Sequence, residues 1–597
     1  LRIKKSDNPK IDKLLTNASK KGNKKGYPEF IINSKIHSEF IIVIECKADV
    51  SKHISQTMDC YAEYAVDGAL LYASFLAKEY DVIAIGVSGE TINELRISSY
   101  LYLKGTNKYY SYFPDKILPF DQYYDESVQS DYKLRQDYDK LVAYTRTLNE
   151  LLHGKKITES ERALLIGGIL VSLRNKAFRL GYLKHESAKS LVDSLYSTIC
   201  IELDRTGIAP SNIEKLKLAF VFIKSNASLT DETEGKEFTE RLISDIDKEI
   251  NSFIRTHKYF DAISQFYIEF LRYANADKGL GIVLTPPHIT DLFTELADID
   301  KDSIVFDNCC GTGGFLVRAM RKMIEEAKGD KNKEREIKEK QIVGIEYQPH
   351  IYALLISNMI IHQDGKTSMY LGDCFKESGK VKQTYSPNVG LLNPPYKTKG
   401  TPIEELEFVL NNLETLKEGG KCVALIPLSC VTETTGVAKE LKRRILEEHT
   451  LEAVMSMPEG LFHGQTNVVT CTMIITAHKS HPQGKKTWFG YCRDDGFFIV
   501  KHKGRIDKNH TWEKVKNKWV NAFRNRELID GFSLAQEVTE EDEWCAEAYM
   551  LTDYSKITEE DYGDTVKKYV LYKLMNTENI GLKEGDINNS GTSKSIV

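Results

Sequence analysis

Four consecutive residues, Asn393-Pro394-Pro395-Tyr396, have types and spacing suited to transfer of a group to an aromatic amine. They follow the apolar run Val389–Leu392, which reads as a buried strand, so the tetrapeptide sits at a strand end. An exocyclic adenine amine is a poor nucleophile because its lone pair is delocalised into the ring. The Asn393 side-chain oxygen and the Pro394 carbonyl can each accept one N6 hydrogen. That rehybridises the nitrogen and aims its lone pair at a methyl donor, which is positioning combined with selective stabilisation of the transition state. Two prolines hold the turn rigid and bring no competing N–H. Tyr396 offers a face for a base that has left its duplex.

Upstream lies Asp307-Asn308-Cys309-Cys310-Gly311-Thr312-Gly313-Gly314-Phe315, after a hydrophobic strand and opening an apolar helix. There a glycine turn lets backbone approach a cofactor. The next strand ends in Glu346, an acid suited to the two hydroxyls of a ribose. Asp373 follows in Gly372-Asp373-Cys374-Phe375 and can accept from an adenine amine. Each feature alone is weak. Turn, acid, acid and Asn-Pro-Pro-Tyr in that order, each at a strand end, form a specific constellation.

A second constellation is N-terminal: Tyr27-Pro28-Glu29-Phe30, then Ile41-Ile42-Val43-Ile44-Glu45-Cys46-Lys47. Alternation along a strand points Glu45 and Lys47 the same way, toward an acid on the preceding strand. Two carboxylates and a lysine in a P-(D/E)…(D/E)-x-K pattern suit phosphodiester cleavage. Glu29 and Glu45 would hold Mg²⁺, which acidifies water, and Lys47 would orient that water or steady the anion. Gln56, early in the following helix, could complete the site.

These motifs need elements to position them. Residues from about 1 to 120 alternate short β-like runs, Phe40–Ile44 and Val82–Val87, with one helix near Ser55–Lys78. Long apolar-periodic stretches, Ser160–Phe178 and Ile213–Ser225, predict a helical middle domain. From about 280 onward, short β-branched runs alternate with helical patterns: Ile304–Phe306, Ile342–Ile345, Val389–Leu392, Cys422–Ile426, Ala453–Met457 and Thr472–Thr476. That rhythm predicts a doubly wound, Rossmann-like α/β sheet. The charged segment Arg321–Lys340 reads as a solvated helical insertion, and the last ~20 residues as a loose tail. The expected division of this multidomain α/β chain is 1–120, 121–278, 279–480 and 481–597. Net charge is −5, so any nucleic-acid surface is local or supplied by a partner. Eleven cysteines without a C-x-x-C pair argue against a zinc site or a disulfide framework, and fit a reducing cytoplasm. No apolar stretch reaches transmembrane length.

The motif order over roughly Leu280–Thr476 resembles the gamma class of amino-methyltransferases, and above all the modification subunits of type I restriction systems. That resemblance implies an adenine-N6 DNA methyltransferase using S-adenosylmethionine. It assigns Thr285 (in Leu284-Thr285-Pro286-Pro287-His288), Asp307, Gly311, Gly313 and Glu346 to the cofactor, and Asn393 and Tyr396 to the flipped adenine. Phe462, in Met457-Pro458-Glu459-Gly460-Leu461-Phe462, is similar to the second aromatic on that base. Asn308 stands where the family usually has proline, which makes the turn less rigid. Residues 1–120 resemble the PD-(D/E)xK endonuclease domain of type I restriction subunits, although the first acid is Glu, and Gln56 precedes Tyr61 by one residue more than usual.

There is no G-x-x-x-x-G-K-[ST] phosphate loop and no dedicated recognition domain. Cleavage should therefore fall near the recognition site, and a separate specificity subunit should read the double-stranded DNA. A nuclease fused to such a methylase, without motor or reader, resembles the BcgI-like (type IIB) bifunctional restriction–modification subunits, implying a hetero-oligomer with more than one copy of this chain. Bases and aromatics between Trp488 and Arg526, among them Arg493, Phe497, Lys501, Lys503, Arg505, Trp512, Lys516, Trp519 and Arg524, would either follow phosphates and stack bases or pack on the catalytic domain. Three other readings compete. One is a modification-only methyltransferase with a degenerate N-terminal scaffold. Another is an enzyme acting on RNA or on glutamine amides in protein. The last is a non-enzymatic assembly subunit.

Overall fold

The computed structural model describes residues 8–20, 22, 24–111, 113–257, 283–362, 368–397, 403–500, 504–551 and 558–576. The expected loose tail, and Lys501 and Lys503, lie outside the described residues.

A five-stranded sheet opens the chain, its strands in sequence order: β1 (Phe30–Asn33), β2 (Phe40–Lys47), β3 (Asp81–Ser88), β4 (Arg96–Tyr102) and β5 (Tyr109–Ser111). β2 and β3 are parallel, and the other pairs are antiparallel. The continuous apolar run of β2 has a simple cause, since its alternate residues enter two cores. Ile41 and Val43 pack with Val66, Ala69 and Ala73 of helix α1 (Ala65–Leu76), while Phe40 and Ile42 pack with Phe113, Leu118 and Tyr123. A helix was expected from Ser55, but α1 begins ten residues later. The buried Asp67 carboxylate accepts from Ser55 N at 3.1 Å, Cys60 N at 2.9 Å and the Ser55 hydroxyl, folding 55–60 into a loop against the first turn of α1. Gln56 is thus on an exposed loop, not on a helix.

The middle of the chain is helical, with α2 (Asp131–Gly154), α3 (Glu159–Arg174) and α4 (Ala188–Asp204) as its longest members. Helix α3 is buried on every side from Arg162 to Leu173, which is why its sequence is apolar all round. Its C-terminal Arg174 donates to Ile361 O at 3.0 Å and so ties the helical unit to the next sheet.

That sheet has nine strands in the order β16-β13-β11-β12-β10-β9-β6-β7-β8. They are β6 (Val305–Asp307), β7 (Ile342–Glu346), β8 (Ser368–Leu371), β9 (Val389–Leu392), β10 (Lys421–Pro427), β11 (Thr450–Ser456), β12 (Thr470–Thr476), β13 (Thr487–Tyr491), β16 (Ser533–Gln536), with the hairpin β14 (Phe498–Val500) and β15 (Gly504–Ile506) set apart from it. Strands β8, β7, β6, β9 and β10 run parallel, and β12 is antiparallel to both its neighbours. Helices α5 (Pro287–Leu296), α6 (Gly314–Glu326), α7 (Pro349–Ile361), α8 (Cys374–Tyr385) and α9 (Glu405–Thr415) flank the parallel half. The winding reverses between β6 and β9, and a ligand crevice belongs at the carboxyl ends of those strands. Asp307 ends β6 and Asn393 follows β9, so the sequence motifs converge on that crevice. The sheet runs past residue 480, because β13 and β16 extend it. Among the described residues no helix is long and apolar enough to cross a membrane.

Candidate functional sites

A cavity of about 380 Å³ opens at the β6/β9 reversal. Thr285, Asp307, Gly311, Glu346, Asp373, Asn393 and Pro394 all line it. At one wall, Glu346 accepts from Gly311 N at 3.0 Å and Gln348 N at 2.7 Å, so the turn after β6 is held on the end of β7. Asp307, 1% exposed, accepts from Cys309 N at 2.9 Å. Burial pushes its carboxyl up to about 8, with the Glu346 charge acting in the same sense, and burial also raises Glu346. Two buried acids side by side favour a cationic ligand. Asp373 caps α8 by accepting from Phe375 N at 3.1 Å.

The carboxamide of Asn393 is fully oriented. Its Nδ2 donates to Val283 O and to Thr285 Oγ1, both at 3.0 Å, which assigns nitrogen and oxygen unambiguously. Oδ1 is buried and has no hydrogen-bond partner among the described residues. Tyr396 and Phe462 are both buried and meet edge-to-face with centroids 6.0 Å apart, and the Tyr396 hydroxyl also lacks a partner among the described residues. Neither ring lines the cavity. Gly313 does not line it either. It starts α6 at φ +90°, and a Cβ there would stand 2.7 Å from Leu355 Cδ1, so its smallness serves the packing of α6 on α7.

Several lining residues escaped the sequence reading. Phe375, Phe408 and Ile403 form an apolar wall, with Phe375 and Phe408 centroids 5.0 Å apart. The turn at Asn308 was expected to be loose for want of a proline, yet its amide donates to Phe408 O and Asn411 Oδ1, both at 2.9 Å, and its oxygen accepts from Asn412 Nδ2 at 3.1 Å. Side-chain hydrogen bonds supply the stiffness.

Of the N-terminal acids, Glu45 lies on β2 and Glu29 just ahead of the strand that pairs with it. Glu29 immediately precedes β1, whose Phe30 faces Ile44 of β2, and Glu29 N donates to Glu45 Oε1 at 3.3 Å. Glu45 is 1% exposed and its carboxyl is raised by burial, against the pull of a lysine the motif did not include: Lys20 Nζ pairs with Glu45 Oε2. Lys47 Nζ donates instead to Ala62 O at 2.9 Å. Glu29 is exposed, and its carboxylate helps burial lift the Cys46 thiol to about 11. An ammonium already sits on the buried acid, so a cation suits this place. Among the described residues no group of three or more His, Cys, Asp or Glu side chains is placed to hold a metal ion, so carbonyls and water would have to complete any oxygen shell around these two carboxylates.

The basic and aromatic C-terminal stretch is largely packed. Trp488, Trp512 and Trp519 are buried, and Phe497 stacks on His288 at 4.0 Å. Arg493 pairs with Glu547, Arg505 with Asp495, Lys516 with Asp291, and Arg524 with Glu295 and Asp298.

A family model for N-6 DNA methylases matches residues 258–578, more than half the chain and the whole of the crevice. The chain belongs to the N-6 DNA methylase family. The type II restriction enzyme and methyltransferase RM.BcgI of Heyndrickxia coagulans is 30% identical over 96% of this chain and 94% of its own, so the likeness takes in the N-terminal sheet. The type I restriction enzyme MjaVII methylase subunit of Methanocaldococcus jannaschii is 25% identical over 54% of this chain and 55% of its own. A solved chain from a study of type I restriction–modification complex assembly shares the fold, with TM-score 0.52 and 19% identity over 74% of this chain and 99% of that one. As an N-6 DNA methylase of the restriction–modification kind, this protein methylates adenine N6 in DNA. Its family implies S-adenosylmethionine, and the paired buried acids and apolar wall of the crevice fit a cationic nucleoside.

Proposed function

We propose that this chain is a bifunctional restriction–modification subunit, BcgI-like, that methylates adenine N6 at one site and cleaves DNA at another with Mg²⁺. The observation that carries the methyl-transfer assignment is the buried Asn393 Oδ1, without a partner among the described residues, on a carboxamide whose donors are already engaged. It accepts one N6 hydrogen of the adenine, and the Pro394 carbonyl accepts the other. Bound S-adenosylmethionine supplies the methyl group. Asp307 and Glu346 meet its positive charge and ribose hydroxyls, Thr285 and the Gly311 turn shape its cradle, Gly313 keeps that turn close to α7, and Asp373 accepts from an adenine amine. Tyr396 and Phe462 part to admit the target base.

Residues 1–120 form the nuclease domain, 121–278 a helical domain, 279–480 the methylase domain, and 481–597, whose β13 and β16 extend the methylase sheet, a partner- and DNA-contacting region and tail. Glu29 and Glu45 would hold Mg²⁺, whose chemistry is acidification of water and stabilisation of charge on the phosphate. Lys47 would release Ala62 to reach that anion. A separate specificity subunit reads the DNA in a complex with more than one copy of this chain. One observation favours a second reading, modification only: Lys20 neutralises Glu45 and Lys47 is turned to a carbonyl, as in a retired site. Incubating the complex with unmethylated DNA, Mg²⁺ and S-adenosylmethionine, and scoring strand breaks and methyl incorporation together, separates the two.

A further inference from the structure

Gln465 lies between Phe462 and β12. Its side chain grips the backbone of Leu284 by both groups: Leu284 N donates to Gln465 Oε1 at 2.8 Å, and Gln465 Nε2 donates to Leu284 O at 3.1 Å. Leu284 is flanked by the two residues that receive the Asn393 amide, Val283 through its carbonyl and Thr285 through its hydroxyl. At its other end Gln465 closes a tight turn on the base-side aromatic. Gln465 N donates to Phe462 O at 2.8 Å, with Gly464 left-handed at φ +87° in the third position, where a side chain would be strained.

We propose that Gln465 is a positioning residue for methyl transfer, fixing the Val283–Thr285 strip so that Asn393 presents its oxygen, and not its nitrogen, to the target amine. This rests on Asn393 being the acceptor. A carboxamide has two nearly isosteric orientations, and only one of them is productive. The strip itself is an extended loop segment ahead of α5, outside the sheet ladder. Without the clamp, Val283 O and Thr285 Oγ1 lose their fixed places, and the Asn393 amide can turn over. The same clamp couples the strip to Phe462, so opening of the aromatic pair and orientation of the acceptor share one link.

The test uses the full chain with its partner and a specific duplex, measuring the single-turnover methylation rate and the dissociation constant of S-adenosylmethionine. Gln465→Ala is expected to lower the rate on the order of 10-fold, the scale of a displaced reacting group, with a loss of cofactor affinity through Thr285 that is clearly smaller than the loss of rate. Gln465→Glu keeps the acceptor for Leu284 N but offers Leu284 O a donor only when protonated. Its rate relative to the native rate should match that of Gln465→Ala at pH 8 and rise as pH falls into the ordinary carboxyl range, about 5 and below. An unchanged rate in Gln465→Ala, an equal loss of rate and cofactor affinity, or a Gln465→Glu profile parallel to the native one would overturn the proposal. Asn393→Ala measured alongside keeps the two claims apart. If it retains the native rate, the acceptor assignment has failed. If it is crippled while Gln465→Ala is not, only the clamp has.

Discussion

Asn393 and Thr285 meet across 108 residues of chain, Nδ2 lying 3.0 Å from Oγ1. Because Val283 O takes the other amide hydrogen, the carboxamide cannot invert without breaking two bonds. A buried acceptor without a partner destabilises a fold by about 1–3 kcal/mol. Here that penalty falls on the one atom that an incoming amine would relieve.

The two conspicuous residues of the tetrapeptide should therefore respond unequally. Asn393→Ala deletes the acceptor and should lower the methylation rate ~10²-fold or more. Tyr396→Phe keeps the ring against Phe462 and deletes a buried hydroxyl that has no partner among the described residues, so the rate should fall only slightly and the melting temperature hold or rise. Equal loss of rate in both variants would mean that the hydroxyl has chemistry of its own.

The acids of the crevice predict a pH dependence. Asp307 is pushed up to about 8 from an ordinary value near 4, so the native state keeps this proton where the unfolded chain has lost it. Its contribution to stability is fully present below about pH 4 and is lost as pH rises through about 8. A bound cation favours the ionised form and reverses the trend. Protein without ligand should thus lose this contribution toward pH 8, while the thermal shift given by S-adenosylmethionine grows from pH 6 to 8, with proton release on binding. Calorimetry in buffers of different ionisation enthalpy measures that release, and no pH dependence of affinity would refute the pairing.

Gly311 and Gly313 should fail in different ways. At Gly313 a methyl group meets Leu355 and a left-handed backbone, so Gly313→Ala should destabilise the fold by about 1–3 kcal/mol, read as a lower denaturant midpoint. At Gly311, φ is +54° but the space is open, and its N–H supports Glu346. Gly311→Ala should show less loss of stability and more loss of cofactor affinity. The reverse ranking would place the cradle on the wrong glycine.

How much of this was legible in the sequence depended on the range of the contacts. Asp307, Glu346 and Asn393 announce themselves because each ends a short apolar run, a local pattern. The doubly wound character of the parallel half followed from the alternation of strand and helix, but β8, Ser-Met-Tyr-Leu, is too short and too polar at its start to stand out. The start of α1 was misread because Asp67 captures Ser55 and Cys60 from within the helix, and propensity does not register such a capture. Lys20 sits in a polar, lysine-rich stretch where no period marks one lysine from another. The Val283–Asn393 and Leu284–Gln465 bonds join segments more than a hundred residues apart, and only the folded sheet brings them together.

The C-terminal arginines give a fourth prediction. With Arg493, Arg505, Arg524 and Arg526 each paired to a carboxylate, the described part of this stretch has its guanidinium groups engaged and not free for phosphates. The chain alone should bind duplex DNA weakly, without sequence preference, and with steep salt dependence. Filter binding across salt and methylation mapping on random duplexes check this. Robust, site-specific methylation by the isolated chain would remove the need for a separate reader.

The last prediction separates the two sites. Glu45 and Lys47 belong to a sheet with its own two cores, distinct from the nine-stranded sheet that builds the crevice. Changing Glu45→Ala and Lys47→Ala together should abolish cleavage and leave methylation near the native rate, given the partner. Lys20→Ala decides between the two readings of residues 1–120. If Lys20 only holds the place of a metal ion, removing it leaves Glu45 free for Mg²⁺, and cleavage should persist or need less Mg²⁺. If Lys20 has retired the site, the native complex does not cut at any Mg²⁺ concentration, and Lys20→Ala does not restore cutting. The measurement is nicking and double-strand cleavage beside labelled-methyl incorporation on one substrate, over a range of Mg²⁺. Cleavage surviving the double change would put the nuclease elsewhere. Joint loss of both activities would give Glu45 and Lys47 a structural role and favour the scaffold reading.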